Sequence, residues 1–180
     1  MNGSIHFDSF ANALAQYGPG VHQMDPGATD DEILRAEKAL SMKIPSIYRD
    51  FLRKYNGGSA FRDAIVFLGT RRDNASKETD LVTVNKRKWP RMPSSCFVIA
   101  EYSFGDQICI LPETGAPNDY GIGRWDHETA QFKKKWPSLE AWLDDTFDPQ
   151  SSLFNRDGSY KQVGLAKLIS ELKRKITKGR

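Results

Sequence analysis

Thr29-Asp30-Asp31-Glu32 is a helix start, and it constrains this chain more tightly than any other stretch. The Thr29 hydroxyl can accept from the Glu32 amide while the Glu32 carboxylate reaches back to the Thr29 amide. Asp30 and Asp31 face the positive end of the helix dipole, and Ile33, Ala36 and Leu40 follow on one face. Three adjacent acids can be drawn as a metal site, but consecutive helical residues point in different directions and cannot converge on one ion. Pro45 in Ile44-Pro45-Ser46 cannot continue this helix and suits the opening of another. Tyr48, Phe51, Leu52 and Tyr55 recur at i, i+3, i+4 and i+7 and give the second helix one apolar side. Asn56-Gly57-Gly58 is expected to end it in the left-handed conformation. A phosphate cradle would precede a helix rather than follow one.

Upstream, Phe7, Phe10, Leu14 and Tyr17 stand at helical spacing until Gly18-Pro19-Gly20 breaks it, and the stretch to Ala28 reads as a strap. Downstream, Ala64 to Leu68 reads as a short strand. Residues 70–95 are polar, with Lys86-Arg87-Lys88 and Pro90 and Pro93 among them. Cys96-Phe97-Val98-Ile99-Ala100 and Gln107-Ile108-Cys109-Ile110-Leu111 are strand-like, and the turn Phe104-Gly105-Asp106 makes them a hairpin. A loop from Pro112 to Tyr120 leads to a further strand at Gly121-Ile122-Gly123-Arg124-Trp125-Asp126. Ser138 is the N-cap of a helix whose apolar face is Leu139, Trp142, Leu143 and Phe147. A last amphipathic helix is expected over residues 160–178, with Leu165, Leu168, Ile169, Leu172 and Ile176 on one side.

With 39% hydrophobic and 27% charged residues the chain is a globular mixture. Its length of 180 residues suits one domain with a modest extension. No apolar run approaches the ~18 residues that a membrane helix needs, and the opening residues do not resemble a secretory signal. A cytoplasmic protein without a membrane partner is therefore expected. Cys96 and Cys109 lie in strand-like runs without CxxC spacing and read as buried, reduced thiols. Asn2-Gly3-Ser4 and Asn74-Ala75-Ser76 match the glycosylation pattern, which is silent without secretion. The net charge of +3 is divided unevenly. Residues 161–180 hold seven Lys and Arg against Glu171 alone, a net +6, so the first 160 residues carry −3.

The residues assemble no catalytic constellation. His6, His22 and His127 belong to no HExxH or Cys/His zinc spacing, and no GxSxG elbow occurs. Gly121-Ile122-Gly123 lacks the third glycine and the helix of a dinucleotide fingerprint. Asp30-Asp31 and Asp144-Asp145 lie on expected helices, where a solvated face accounts for them. The expectation is a chain that is no enzyme and uses neither cofactor nor metal.

Three features in fixed order carry a resemblance. They are the capped helix from Thr29 with Glu37 and Leu40, the run Ile44-Pro45-Ser46-Ile47-Tyr48-Arg49-Asp50-Phe51-Leu52 ending in Tyr55-Asn56-Gly57-Gly58, and Gly121-Ile122-Gly123-Arg124-Trp125-Asp126 followed by Ser138-Leu139-Glu140-Ala141-Trp142-Leu143. This arrangement resembles the SUKH superfamily, which includes a fungal regulator of cell-wall glucan synthesis and many bacterial proteins. Ile44 stands where leucine is commoner, a volume-conserving difference. The likeness covers roughly residues 29–147. It implies a single α+β domain, with a mostly antiparallel sheet and helices packed beside it, and a toxin-immunity role for bacterial members. It brings no catalytic residues. On this reading residues 1–28 are an N-terminal helix and strap, 29–148 the SUKH-like domain, and 149–180 a linker and basic C-terminal helix.

The favoured function is an immunity, antitoxin-like protein that binds a basic toxin domain, since a mildly acidic body complements one. The alternatives are a regulatory scaffold and, third, a nucleic-acid binder using the basic last helix and Lys86-Arg87-Lys88. The expected partner surface is an acidic-aromatic face of Asp106, Glu113, Asp119, Tyr120, Trp125, Asp126 and Glu128.

Overall fold

A computed structural model describes residues 7–70, 80–112, 120–148 and 152–161. Glu113, Asp119, both Asn-X-Ser matches, and the expected helix over 160–178 beyond Lys161 lie outside the described residues.

Seven strands form one antiparallel sheet in which every strand pairs with its neighbours in sequence. They are β1 (Gln23–Pro26), β2 (Tyr55–Ala60), β3 (Ile65–Phe67), β4 (Phe97–Tyr102), β5 (Gln107–Ile110), β6 (Ile122–Asp126) and β7 (Gln131–Trp136). Five helices accompany them: α1 (Asp8–Leu14), α2 (Asp30–Leu40), α3 (Ser46–Lys54), α4 (Leu81–Lys86) and α5 (Leu139–Phe147). This is the α+β architecture that the resemblance implies. In such a meander the turns β2–β3, β4–β5 and β6–β7 all fall at one end of the sheet, and the connections that carry α2, α3 and α4 start and finish at the other.

The local chemistry explains the helices. Thr29 Oγ1 accepts from the Glu32 amide at 3.3 Å, and Glu32 Oε2 accepts from the Thr29 amide at 2.7 Å, completing the capping box. Pro45 stands immediately before α3, and Tyr48, Phe51 and Leu52 are fully buried. Tyr48 places its hydroxyl 2.7 Å from the Leu68 carbonyl oxygen and 2.8 Å from that of Ile99, tying α3 to the end of β3 and to β4. Ser138 caps α5 through the Ala141 amide, and Trp142 is fully buried.

Strand alternation then sorts the two faces of the sheet. Phe67 packs 5.3 Å from Phe51 and 5.6 Å from Trp142, and the Trp136 indole donates to Asp145 at 3.2 Å, so α3 and α5 cover one face. Cys109 is out of phase with these residues and carries Met92 at 3.9 Å, so the segment after α4 covers the other face. Asn85 fastens α4 beside β4: its amide nitrogen donates to the Val98 carbonyl at 2.8 Å, and its oxygen accepts from the Val98 amide at 2.9 Å. Val98 sits where the β4–β5 register shifts, so a side chain supplies pairing at the irregularity.

Several elements differ from expectation. Asn56-Gly57-Gly58 does not stop α3 as a left-handed cap; α3 ends at Lys54 and the chain passes directly into β2. The glycines serve close approach instead. A Cβ on Gly57 would lie 2.8 Å from the Gly69 nitrogen, and one on Gly58 would lie 2.4 Å from the Gln23 carbonyl oxygen. The strap before Ala28 contributes edge strand β1, the polar stretch 70–95 contains α4, and the basic segment Gln131–Trp136 is edge strand β7. Edge strands need no apolar alternation, and the lysines of β7 protect an open edge. Phe7 and Phe10 are buried, and α1 packs against α5, so the first elements are part of the core.

Candidate partner-binding surface

The turn end of the sheet is built from backbone geometry that side chains normally avoid. In the β2–β3 turn, Phe61, Arg62 and Asp63 are all left-handed, with φ of 52°, 54° and 65°. This conformation costs roughly 1–2 kcal/mol per residue, less for Asp. Burial of Phe61 holds it in place. Its ring stacks on Phe154 at 4.0 Å and on Phe147 at 4.9 Å, and it meets Tyr17 edge-on at 5.1 Å. The Phe61 amide donates to Nδ1 of His22 at 3.3 Å. Burial pushes the His22 pKa down to about 4, so the neutral ring keeps that acceptor at neutral pH.

The β4–β5 turn is tied to the first, with the Ser103 amide donating to the Ala64 carbonyl at 3.0 Å. Phe104 stacks on Tyr102 at 5.0 Å and remains 47% exposed. Gly105, at φ 97°, passes under the His127 ring, where a Cβ would lie 2.9 Å from a ring carbon. His127 opens the β6–β7 turn. Its Nδ1 lies 3.1 Å from Asp106 Oδ1, its backbone amide donates to the same oxygen at 3.3 Å, and Arg124 approaches the other carboxylate oxygen at 3.4 Å. The Trp89 ring lies 5.5 Å from that of His127 and is 42% exposed. It is presented by a turn in which Met92 N–H donates to the Trp89 carbonyl at 3.1 Å and Arg91 takes φ 68°, a position that ordinarily favours glycine.

The expected acidic-aromatic face separates into parts. Trp125 is only 4% exposed and packs edge-on against Phe132 at 5.0 Å, so it is a core side chain rather than an exposed anchor. Asp106 is 5% exposed and is occupied by His127 and Arg124, so it braces two turns from within. Tyr120 precedes β6 and is half-buried, and the length of that strand separates it from Asp126 and Glu128. Asp126, half-buried, accepts from the Thr129 amide at 2.8 Å, and Glu128 is exposed. Asp106, Asp126 and Glu128 thus share the turn end, with Trp89 and Phe104 as its exposed aromatics. Sequence reasoning missed those two. The available signal was a bulky aromatic at a turn position in Phe104-Gly105-Asp106 and in Trp89-Pro90.

Elsewhere the polar groups are committed to structure. Lys88 donates to the carbonyls of Ser94 and Cys96 and so belongs to the fold rather than to an open basic patch. Cys96 and Cys109 are free, buried thiols, and burial raises the pKa of both, which keeps them unreactive. Among the described residues, no group of three or more His, Cys, Asp and Glu could hold a metal ion. None of their helices is long and apolar enough to cross a membrane.

A family model described as SMI1 / KNR4 family (SUKH-1) matches residues 27–145, about two thirds of the chain. The chain belongs to the SMI1/KNR4 (SUKH-1) family. The match begins just before the Thr29 cap and ends within α5, so it takes in α2, α3, α4 and six of the seven strands in full, while α1 and β1 lie outside it. A crystal structure of a protein from Pseudomonas syringae pv. tomato shares the SUKH-1 chain's fold, with a TM-score of 0.56 at 16% identity, covering 78% of this chain and 97% of that one. No curated protein matches the chain by sequence.

Proposed function

We propose that this SUKH-1 chain is a non-enzymatic binding protein, an immunity protein that neutralises a bacterial toxin by direct contact. The observation that carries this reading is membership of a family that includes immunity proteins. The partner is a basic toxin domain, which the net −3 of the first 160 residues would steer into contact. The sheet and the helices packed on it, α1 and β1 included, are the working unit, and the basic stretch 161–180 is accessory to it. The test is co-expression of the full chain with the protein encoded immediately upstream of its gene, in a host whose growth that protein arrests. Restored growth and a co-purifying complex are expected. Unimpaired arrest would remove the immunity reading and leave the regulatory scaffold.

A further inference from the structure

We infer that the basic C-terminal segment, residues 162–180, folds back on its own chain and covers the outer side of α5 together with Leu153 and Tyr160. This inference is independent of the immunity reading, because the surface and its occupant belong to one chain. Three observations carry it. First, an apolar surface lies open where the segment departs. Phe154 stacks inward on Phe61 at 4.0 Å and meets Tyr160 on its other side at 4.7 Å. Tyr160 remains 41% exposed and Leu153 52%. The Lys161 amide donates to the Leu153 carbonyl at 2.8 Å, so the segment sets out beside both side chains.

Second, the outer side of α5 is acidic. The helix buries Leu139, Trp142, Leu143, Thr146 and Phe147, which turns Glu140 and Asp144 to the opposite side, one turn apart. Asp145 is ion-paired with Lys134 at 2.6 Å, whereas Glu140 and Asp144 have no ion-pair partner among the described residues. The Asp148 amide donates to the Asp144 carbonyl at 2.9 Å, and the Ser152 amide to the Asp148 carbonyl at 2.7 Å. The carboxylate row therefore leads up to Leu153.

Third, the segment matches both parts of this surface. Leu165, Ile169, Leu172 and Ile176 recur at spacings of four and three, which is one seam of a helix, and Lys173 and Lys175 border that seam on its two sides. Residues 162–180 hold six Lys and Arg against Glu171 alone, a net +5. A helix this short is marginal in water until its apolar side is covered. A second copy is a poor cover, since it would set bordering lysines against lysines. The short connection through residues 149–161 favours an antiparallel path back along α5. With Leu165 beside Leu153 and Tyr160, Lys173 lies about 12 Å further on, level with Glu140 and Asp144.

The test uses the full chain. Cys96 and Cys109 are buried, so Thr177→Cys can be labelled alone with a maleimide nitroxide. Paramagnetic broadening of the Glu140, Asp144 and Tyr160 amide signals is expected, and none when the nitroxide is carried by unenriched copies mixed with enriched, unlabelled ones. Glu140→Lys/Asp144→Lys should restore those signals, and adding Lys173→Glu/Lys175→Glu should broaden them again. Leu172→Asp, which leaves the core of the domain untouched, should also restore them. Absence of broadening in the first chain, broadening only between copies, or broadening that survives the charge reversal or Leu172→Asp would overturn the inference. Growth rescue in the co-expression assay decides the immunity reading separately.

Discussion

At the junction of α2 and α3, the buried carboxylate of Glu37 meets Lys43 at 2.8 Å, the Ile44 amide at 3.0 Å and Arg49 at 3.9 Å. At the turn end of the sheet, the chain instead holds consecutive left-handed residues and leaves Trp89 and Phe104 in water. The first region resolves a costly burial by pairing. Burial alone would raise the Glu37 pKa, but the hydrogen bonds from Lys43 and Ile44, with the charges of Lys43 and Arg49, outweigh it and hold the carboxyl below its usual range. The second region keeps local costs that the core opposite has eliminated. Packing on the helical side supplies the stability that lets the turns be shaped for something else.

Substitutions should separate the two regions by size of effect. Trp142→Ala, on the packed side, should cost about 3–5 kcal/mol in a denaturant titration; a loss near zero would erase the contrast. Acid acts next. The His22 pKa falls from 6.5 unfolded to about 4 folded, so the unfolded chain binds the proton first and stability declines as pH drops between those values. Glu37 has a depressed folded pKa, so its contribution is present above its unfolded value of 4.5 and is lost as pH falls through the lower folded one. His22→Phe should abolish the melting-temperature decline between pH 6.5 and pH 4 while leaving the lower step in place. Thr29→Ala should cost about 0.5–2 kcal/mol through the lost cap. Ala130→Gly, at φ 52°, should stabilise the protein by about 1 kcal/mol or less, because glycine takes that backbone without strain. Trp89→Ala and Phe104→Ala should each change stability by no more than about 0.5 kcal/mol. A larger loss at either would make the turn end part of the core and remove the distinction.

The packed side was legible in the sequence because its signals are local. The Thr29 cap, the i, i+3, i+4 face from Tyr48, the Phe104-Gly105-Asp106 hairpin and the Ser138 cap each lie within a few residues of what they specify. The glycines at 57 and 58 misled because the constraint on them comes from Gly69 and Gln23, which are remote in sequence. β1 and β7 were invisible because an edge strand can be short, polar or basic and still pair. Trp125 was placed on the expected partner surface because composition near a turn cannot show which way a strand residue faces. The pairing of β6 with β5 and β7 sets that direction.

A sheet whose strand order repeats the sequence order also governs how the protein is made. As the chain leaves the ribosome, each new strand finds the edge it needs already present, and no earlier pairing has to reopen to admit it. The exception is the last step. The Tyr17 hydroxyl donates to the Phe147 carbonyl at 3.0 Å across 130 residues of sequence, and α1 has no α5 to pack against until nearly the whole domain has been synthesised. Until then the aromatic faces of Phe10 and Phe61 lack Phe147. The nascent chain therefore carries an exposed sticky surface for most of its synthesis, and a truncation before α5 should leave a species that aggregates rather than a smaller stable domain.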